Sequence, residues 1–296
     1  LKNNNVIVMQ RAPATGTFRF YIKEIKRKFQ RLNNRIRPLV TDVSYSFHNL
    51  HERKVPFSAK KILKKVPFKP DVILFFWVTG FINSETMKEF SEISEARLFW
   101  VGTDNAPFTG GCHYPWSCEG FQSDCSKCPA ILTPYKKSIA KKNLFYKKNY
   151  LPYSLELITG STSDYTRASK SSVFKGKTIH KLIAPIDEKK FKPGDKEAAK
   201  SYFKIAPEKK VIFYGAYVLS DMRKGGKFFL EALHILKRDL EENDQGIKPS
   251  DFLLLVACKE RINSFDNTGI SILQTGYLNN EDLVKAYQAA DFFVCS

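Results

Sequence analysis

Four of the six cysteines of this 296-residue chain lie within seventeen residues, at Cys112, Cys118, Cys125 and Cys128. Their spacing, Cys-x5-Cys-x6-Cys-x2-Cys, supplies the four soft sulfur ligands that a tetrahedral structural zinc site uses, and His113 is an alternative ligand for one of them. Thiols this close in a polar segment are expected to be held by a metal or by each other, and not to pack a core. We therefore predict a structural zinc ion.

Two other interpretations of the cysteines stay open, a pair of disulfides or four unconnected thiols. The sequence begins without an apolar signal peptide and has no run of eighteen apolar residues, which favours a reducing cytosolic setting and disfavours disulfides. A catalytic cysteine is the weaker alternative, because no Cys-His-Asn set is evident even though His113 adjoins Cys112. Cys258 and Cys295 are expected to be buried core thiols.

The positive charge is concentrated in the first quarter of the chain. The chain has 48 Lys and Arg against 30 Asp and Glu, a net +18, and residues 1–70 contain 17 basic and three acidic residues, or +14 of it. Within this region apolar residues at helical spacing, Ile22, Ile25, Phe29, Leu32 and Ile36, alternate with lysines and arginines. A basic amphipathic helix of this kind binds anionic membrane surfaces or phosphates, or packs its apolar face against its own domain.

Apolar strand-like runs alternate with helical patterns, which predicts a parallel α/β architecture. We expect a first domain over residues 1–184 with a cysteine-rich insertion at 104–132, a linker over 185–195, and a second domain over 196–296. The predicted strands are 72–77, 96–101, 155–159, 179–183, 210–214, 252–257 and 271–273. The predicted helices are 84–95, capped by Ser84, one opened by the polar run 160–164, and those at 225–240 and 281–290.

Asp104 follows the strand predicted at 96–101, at the carboxyl edge where open α/β sheets bind ligands. A carboxylate there can orient a hydroxyl group of a bound molecule. The alternative is a helix cap or a hydrogen bond within the loop.

The segment from Thr103 to Pro129 resembles a motif of the family 4 glycosyltransferases, in a bacterial polysaccharide subgroup. The similarity comprises Asp104, Thr-Gly-Gly-Cys-His-Tyr at 109–114, the three later cysteines and the proline. Pro-Ile-Asp at 185–187 is similar to the interdomain signature of that family, and residues 287–296 are similar to its strand entry before a Glu-x7-Glu motif. The resemblance covers the chain from about residue 40 onward.

The resemblance implies a GT-B fold, with two Rossmann-like domains facing across a cleft and here incomplete. It implies a retaining enzyme that takes a UDP- or GDP-sugar, without a catalytic metal, and a glycan or lipid-linked acceptor held by the first domain. The donor phosphates would be bound by Gly215, Arg223, Lys224 and Gly225, since cations and backbone N–H groups at a helix start neutralise a leaving diphosphate. The alternative is a solvated turn.

Gly276, Tyr277 and Leu278 follow a predicted strand, and we expect them to line the nucleobase pocket through backbone contacts. The alternative is a packed surface aromatic. The chain also departs from the family pattern, with Thr103 where a histidine is frequent and Ala216 where an arginine is frequent. The first strand and the Glu-x7-Glu pair are not in the sequence, so we expect an internal fragment that is inactive alone.

The expected location is cytoplasmic, on the inner face of the membrane, with the basic region docked on anionic lipid. Two rival functions stay open. A zinc-containing nucleic-acid-binding protein would use the same charge and cysteines, but the cysteines lie outside the basic region and no nucleic-acid motif is present, so nucleic acid is not an expected partner. A non-catalytic glycan-binding scaffold is the other.

Overall fold

The computed structural model describes residues 6–9, 39–48, 52, 57–183, 185–243, 246–260 and 266–295. The predicted basic helix at residues 22–37 lies outside the described residues. The chain divides into two compact units, Leu1–Ala184 and Pro185–Ser296, which we call unit 1 and unit 2.

Unit 1 contains a four-stranded parallel sheet in the order β1-β2-β3-β4. The strands are β1 (Val72–Phe76), β2 (Arg97–Gly102), β3 (Glu156–Thr159) and β4 (Ile179–Lys181). The helices are α1 (Ala59–Leu63), α2 (Ser84–Ile93), α3 (Ser138–Tyr150) and α4 (Thr162–Lys170). Because the strands are parallel, their carboxyl ends meet at one edge, from which the chain runs into the long segment after β2.

The core of unit 1 forms where the apolar residues of β2 and β3 meet the helices. Leu98, Trp100 and Leu157 are buried together with Phe90 of α2 and Leu144 of α3. Burying side chains of this size stabilises the fold by about 1.5–3 kcal/mol each, as an upper estimate.

The N-cap of α2 is Asn83, and the prediction that Ser84 caps this helix was wrong. Asn83 Oδ1 accepts the backbone N–H of Thr86 at 2.9 Å, whereas Ser84 Oγ donates to Glu52 Oε1 at 2.9 Å. Asparagine and serine are about equally favoured at an N-cap. The sequence alone therefore does not decide whether Asn83 or Ser84 caps the helix.

Unit 2 contains a second four-stranded parallel sheet, in the order β7-β6-β5-β8. Its strands are β5 (Lys210–Gly215), β6 (Phe252–Ala257), β7 (Ser271–Gln274) and β8 (Phe292–Val294). Its helices are α5 (Lys196–Tyr202), α6 (Gly226–Glu242) and α7 (Asn280–Ala289).

Strand β5 is buried on both faces, which explains its continuous apolar run. Phe213 packs in a cluster with Ala286 of α7, and Tyr214 packs in a second cluster with Phe229 of α6. Helices therefore cover both sides of the sheet, as in doubly wound α/β proteins.

The prediction of an α/β fold is confirmed, since both units have a parallel sheet flanked by helices in a Rossmann-like arrangement. Helices α1, α3 and α5 were not predicted. Cys258 is buried as predicted, but the prediction of a buried Cys295 was wrong because it is exposed next to the edge strand β8. Within the described part of the chain, no helix is long and apolar enough to cross a membrane.

Candidate functional site

The carboxyl edge of the unit 1 sheet carries a buried pair between Asp104 and His113. Asp104 Oδ2 lies 2.8 Å from His113 Nδ1, and Asp104 Oδ1 accepts the backbone N–H of Ala106 at 2.8 Å. Asp104 is 7% exposed and His113 is 1% exposed. Because an ionised carboxylate only accepts hydrogen bonds, the Nδ1 atom carries a proton and donates it, so Nε2 is an acceptor when the imidazole is neutral.

His113 Nε2 is a buried polar atom for which the described residues supply no hydrogen-bond partner. Leaving such an atom unsatisfied costs about 1–3 kcal/mol, and buried nitrogens are nearly always satisfied. An open acceptor at the ligand-binding edge of a parallel sheet is suited to a hydroxyl group of a bound molecule.

The segment 39–48 lies alongside the cysteine-rich segment and fixes the backbone of His113. Phe47 forms an antiparallel bridge with Cys112, and the backbone N–H of His113 donates to Tyr45 O at 3.0 Å. These contacts come from a segment outside the loop that carries His113, so its position does not depend on that loop alone.

Two further aromatic rings pack on His113, those of Trp77 and His48. Their ring centroids lie 4.7 Å and 5.0 Å from that of His113. Trp77 directly follows β1, is 58% exposed and has a φ of 39°. Partial burial of the His48 ring lowers the pKa of His48 below its ordinary value, and the neighbouring His113 lowers this pKa further. We call Trp77, His48 and His113 the ring cluster.

The Thr-Gly-Gly part of the motif lets helix α3 approach the loop directly. A Cβ atom on Gly110 would lie 2.4 Å from Ala140 O of α3, so only glycine fits. Asn143 Nδ2 of the same helix donates to Gly110 O at 3.1 Å. The glycine is therefore required by packing and not by a ligand.

Lys147, also on α3, is the buried residue that the sequence analysis missed. Its side chain is fully buried, and Nζ donates to Ala106 O at 2.5 Å and to Thr109 O at 3.0 Å. These bonds hold the loop between Asp104 and His113. A signal was present in the sequence, because Lys147 follows the buried Leu144 by three residues and so falls in the apolar stripe of the helix.

The start of α4 is tied to the same edge through Asn105. Asn105 Nδ2 donates to Asp164 Oδ1 at 2.7 Å, and Arg167 Nη1 donates to Asn105 Oδ1 at 3.2 Å. The carboxyl ends of β1, β2 and β3 therefore all contribute groups near the Asp104–His113 pair, through Trp77, Asp104 and the first turn of α4.

The four clustered cysteines line one pocket of about 390 Å³ in unit 1, together with Tyr45 and Phe121. Cys112, Cys125 and Cys128 are buried members of the hydrophobic core, and all four are free thiols. The expectation that these thiols do not pack a core was wrong, because the segment 39–48 and α3 enclose them, contacts that local polarity does not reveal.

Burial raises the pKa of Cys112 and of Cys125 to about 12, and the neighbouring sulfur atoms add to the effect. Burial also raises the pKa of Cys128. A raised pKa disfavours the thiolate form that a cysteine nucleophile needs. As placed, no three or more Cys, His, Asp or Glu side chains of the described ranges could hold a metal ion.

In unit 2, two glycines form the turn from β5 into α6. Gly225 has a φ of 63°, a left-handed conformation that favours glycine, and a Cβ atom on Gly226 would lie 2.8 Å from Leu219 O. The hydroxyl of Tyr214, on β5, donates to Lys224 O and so holds the turn against the strand. Gly215, Arg223, Lys224 and Gly225 thus lie at the carboxyl edge of this sheet, as the sequence analysis expected.

The guanidinium of Arg223 binds the carboxylate of Asp221. Arg223 Nε donates to Asp221 Oδ1 at 2.9 Å, and Nη2 donates to Asp221 Oδ2. Burial raises the pKa of Asp221, but the hydrogen bonds from Arg223 outweigh it, so the pKa lies below its ordinary value.

Glu260 was not singled out by the sequence, and its carboxylate binds the loop that follows β5. Glu260 Oε2 accepts the backbone N–H groups of Leu219 at 3.1 Å and Ser220 at 3.3 Å, and Oε1 accepts the Ser220 hydroxyl at 3.2 Å. Consecutive backbone N–H groups that bind a carboxylate can bind another anion in the same way.

Tyr277 follows β7 and is 75% exposed. Its ring lies 6.4 Å from that of Tyr217 in an edge-on arrangement, and Lys259 Nζ donates to the Tyr217 hydroxyl at 3.4 Å. Tyr277 is therefore on the same edge of the unit 2 sheet as the turn after β5, with its face open to solvent.

No family model matches the chain, and no curated protein matches it.

Proposed function

We propose that the protein is a retaining glycosyltransferase of the GT-B type, acting in cell-surface polysaccharide synthesis. It would transfer a sugar from a UDP- or GDP-sugar to a glycan or a lipid-linked saccharide. The observation that carries the proposal is the buried Asp104–His113 pair, with Nε2 open, at the carboxyl edge of a parallel sheet. The motif at 103–129 and the two Rossmann-like units also support it.

Unit 1 would bind the acceptor. The Asp104 carboxylate orients His113 and fixes its tautomer, so that Nε2 is an acceptor at a defined position. A hydroxyl group that donates to this atom is aligned for attack and gains electron density on its oxygen.

Unit 2 would bind the donor diphosphate. Arg223 and Lys224 supply positive charge beside the start of α6, and the loop N–H groups of Leu219 and Ser220 already bind a carboxylate. Charge of this kind stabilises a leaving nucleoside diphosphate without a catalytic metal. Arg223 would then exchange Asp221 for a phosphate oxygen.

Binding of UDP and GDP to the protein, measured by isothermal titration calorimetry, tests the donor role. We expect Lys224→Ala to weaken the binding of one of them about tenfold, as loss of a charge-assisted hydrogen bond does. Lys227→Ala is the matched control, because it removes the same charge one turn along and pairs only at 3.9 Å with Glu231. Equal effects of the two variants, or no binding by the unaltered protein, would contradict the assignment.

Transfer itself is tested on the full-length protein, with radiolabelled UDP- and GDP-sugars and a lipid-linked saccharide extract. Asp104→Asn keeps the shape of the side chain but weakens the hold on His113, so we expect a large loss of turnover with unchanged nucleotide binding. Wild-type turnover in Asp104→Asn would remove the pair from the mechanism.

A glycan-binding scaffold without transfer is the second candidate, and one observation favours it. The groups that would bind phosphate are engaged by carboxylates of the chain itself, Arg223 by Asp221 and the loop N–H groups by Glu260. A scaffold predicts glycan binding with no affinity for UDP or GDP.

A structural zinc ion is part of the proposal. The donor set of four thiols in one pocket suits zinc, although binding would need their sulfur atoms to draw together from their present placement. Elemental analysis of protein purified without chelator should find roughly one zinc ion per chain, lost in Cys125→Ser. A zinc-free protein of full stability would reject it.

Attachment to the inner face of the membrane is proposed from the charge of residues 1–70 alone, since residues 22–37 lie outside the described part of the chain. Co-sedimentation with vesicles that contain anionic lipid, and its loss at high salt, is the expected outcome.

A further inference from the structure

We propose that the ring cluster of Trp77, His48 and His113 is the subsite that receives a sugar ring of the acceptor, with Trp77 as the stacking surface. The choice of an acceptor sugar rests on the proposed function, but the geometry of the subsite belongs to unit 1 alone.

Exposure and backbone strain single out Trp77. Its side chain is 58% exposed although it is the largest apolar residue type, and its φ of 39° lies in the left-handed region. A bulky residue in this conformation is an outlier that costs of the order of 1–3 kcal/mol, and such outliers cluster at ligand-binding positions. Both properties are typical of ligand-binding positions.

The polar partners lie beside the indole ring. His113 contacts Trp77 at a centroid distance of 4.7 Å, and His48 contacts His113 at 5.0 Å and is exposed. His113 Nε2 is the buried acceptor for which the described residues offer no donor. A hydroxyl group reaches this buried atom only if the rings around it move, and the exposed His48 is one of the two rings in contact with His113.

A flat apolar face beside hydroxyl-binding groups matches the two chemistries of a pyranose. The C–H groups of one ring face lie against the electron-rich face of an indole, while the equatorial hydroxyls point outward to the histidines. The same arrangement disfavours a phosphate, because the charged group in contact with His113 is the Asp104 carboxylate. The ligand is therefore a neutral, hydroxylated ring and not the nucleotide.

The probes are cellotetraose and chitotetraose, whose pyranose rings have equatorial substituents and flat apolar faces. Binding is measured by calorimetry and by tryptophan fluorescence, without any nucleotide sugar. We expect a Kd of about 1 mM for at least one probe, weakened about tenfold or more in Trp77→Ala and restored to within about threefold in Trp77→Phe. Phe76→Ala is the control, because Phe76 is the last residue of β1 and is similarly exposed at 55%.

A variant that keeps the fold separates binding from folding. Trp77→Gly removes the ring and also relieves the positive φ, so it should unfold at a higher denaturant concentration than Trp77→Ala while binding the probes equally poorly. Binding by Trp77→Gly at the wild-type level, or an equal loss in Phe76→Ala, overturns the proposal. So does the absence of binding by the unaltered, folded protein to either probe.

The experiment also separates this proposal from the proposed function. Oligosaccharide binding that depends on Trp77, in a protein that neither binds UDP or GDP nor transfers sugar, keeps the subsite and rejects the transferase. UDP or GDP binding and sugar transfer that are unaffected by Trp77→Ala keep the transferase and reject the subsite.

Discussion

The two units carry their polar groups at the same place, the carboxyl edge of a parallel sheet, but the two edges are built differently. In unit 1 the Asp104–His113 pair is buried and is held from several sides by backbone and by Lys147. In unit 2 the exposed Arg223 is bound by a neighbouring carboxylate two residues away. A buried site is fixed before a ligand arrives, whereas surface ion pairs exchange partners at low cost.

The largest expected effect tests whether Lys147 holds the unit 1 edge. Lys147→Met keeps most of the apolar stem but leaves the carbonyls of Ala106 and Thr109 without this donor. We expect the free energy of unfolding to fall by about 3 kcal/mol, measured by urea denaturation. Lys148→Met, at the exposed neighbouring position, should change it by less than about 0.5 kcal/mol. Equal effects would mean that the loop is held by other contacts.

The glycines of the two edges should rank next. Gly110→Ala places a methyl group 2.4 Å from a helix carbonyl, and Gly226→Ala places one 2.8 Å from the carbonyl of Leu219. We expect about 2–3 kcal/mol of destabilisation at Gly110 and a smaller loss at Gly226, where a surface loop can shift. Gly160→Ala is the control, since its Cβ meets nothing within 4 Å. A larger loss of unfolding free energy at Gly226 than at Gly110 would contradict the inference that the carboxyl edge of unit 2 adapts more easily than that of unit 1.

The carboxylate of Glu260 should compete with a phosphate in unit 2. Glu260→Gln keeps the shape of the side chain but weakens its acceptance of the Leu219 and Ser220 N–H groups. We expect UDP or GDP to bind about threefold to tenfold more tightly, by calorimetry, because the competing negative charge is gone. Glu231→Gln on α6 controls for the general change in charge. Weaker binding would show that Glu260 supports the loop rather than blocks it.

The smallest expected effect concerns the strands within each sheet. In both units a carboxylate binds neighbouring strands, so the two sheets resemble each other in this respect although their carboxyl edges differ. Glu156 on β3 binds His180 on β4 and Arg97 on β2, and these hydrogen bonds, from His180 first, lower the pKa of Glu156. The ionised form is therefore favoured in the folded state. Its stabilisation is present above the unfolded-state pKa of about 4.3 and is lost as pH falls through the folded-state pKa.

Glu156→Gln should accordingly flatten the fall in unfolding free energy between neutral and acidic pH, by less than about 1 kcal/mol. Asp291→Asn should act in the same direction in unit 2. Burial raises the pKa of Asp291, but the hydrogen bonds from the Val211 N–H and the Lys196 ammonium group outweigh burial, so the pKa lies below its ordinary value. The exposed Glu208→Gln is the control. If the unfolding free energy depends on pH in both variants as it does in the unaltered protein, these carboxylates do not stabilise the pairing of the strands.

Local patterns in the sequence predicted the strands β1 to β7 and the helices α2, α4, α6 and α7. Strand β5 is recognisable as a continuous apolar run, because a strand buried on both faces needs apolar residues at every position. The two glycines and the amphipathic pattern that follow indicate the turn and helix α6. The position of Arg223, Lys224 and Gly225 after a strand followed from the same pattern. Helix α3 was missed because its buried stripe contains Asn143 and Lys147, polar residues that interrupt the apolar period.

Only the tertiary structure decided what the cysteine-rich segment does. The sequence shows Cys112, His113 and Asp104 as neighbours but not that Asp104 takes the histidine while the thiols turn into a pocket. That choice depends on the segment 39–48, which is some sixty residues away in the sequence and supplies a backbone partner for His113. Contacts between segments distant in the sequence leave no periodic signal, whereas a strand or a helix leaves a periodic pattern of apolar residues in its own stretch of sequence.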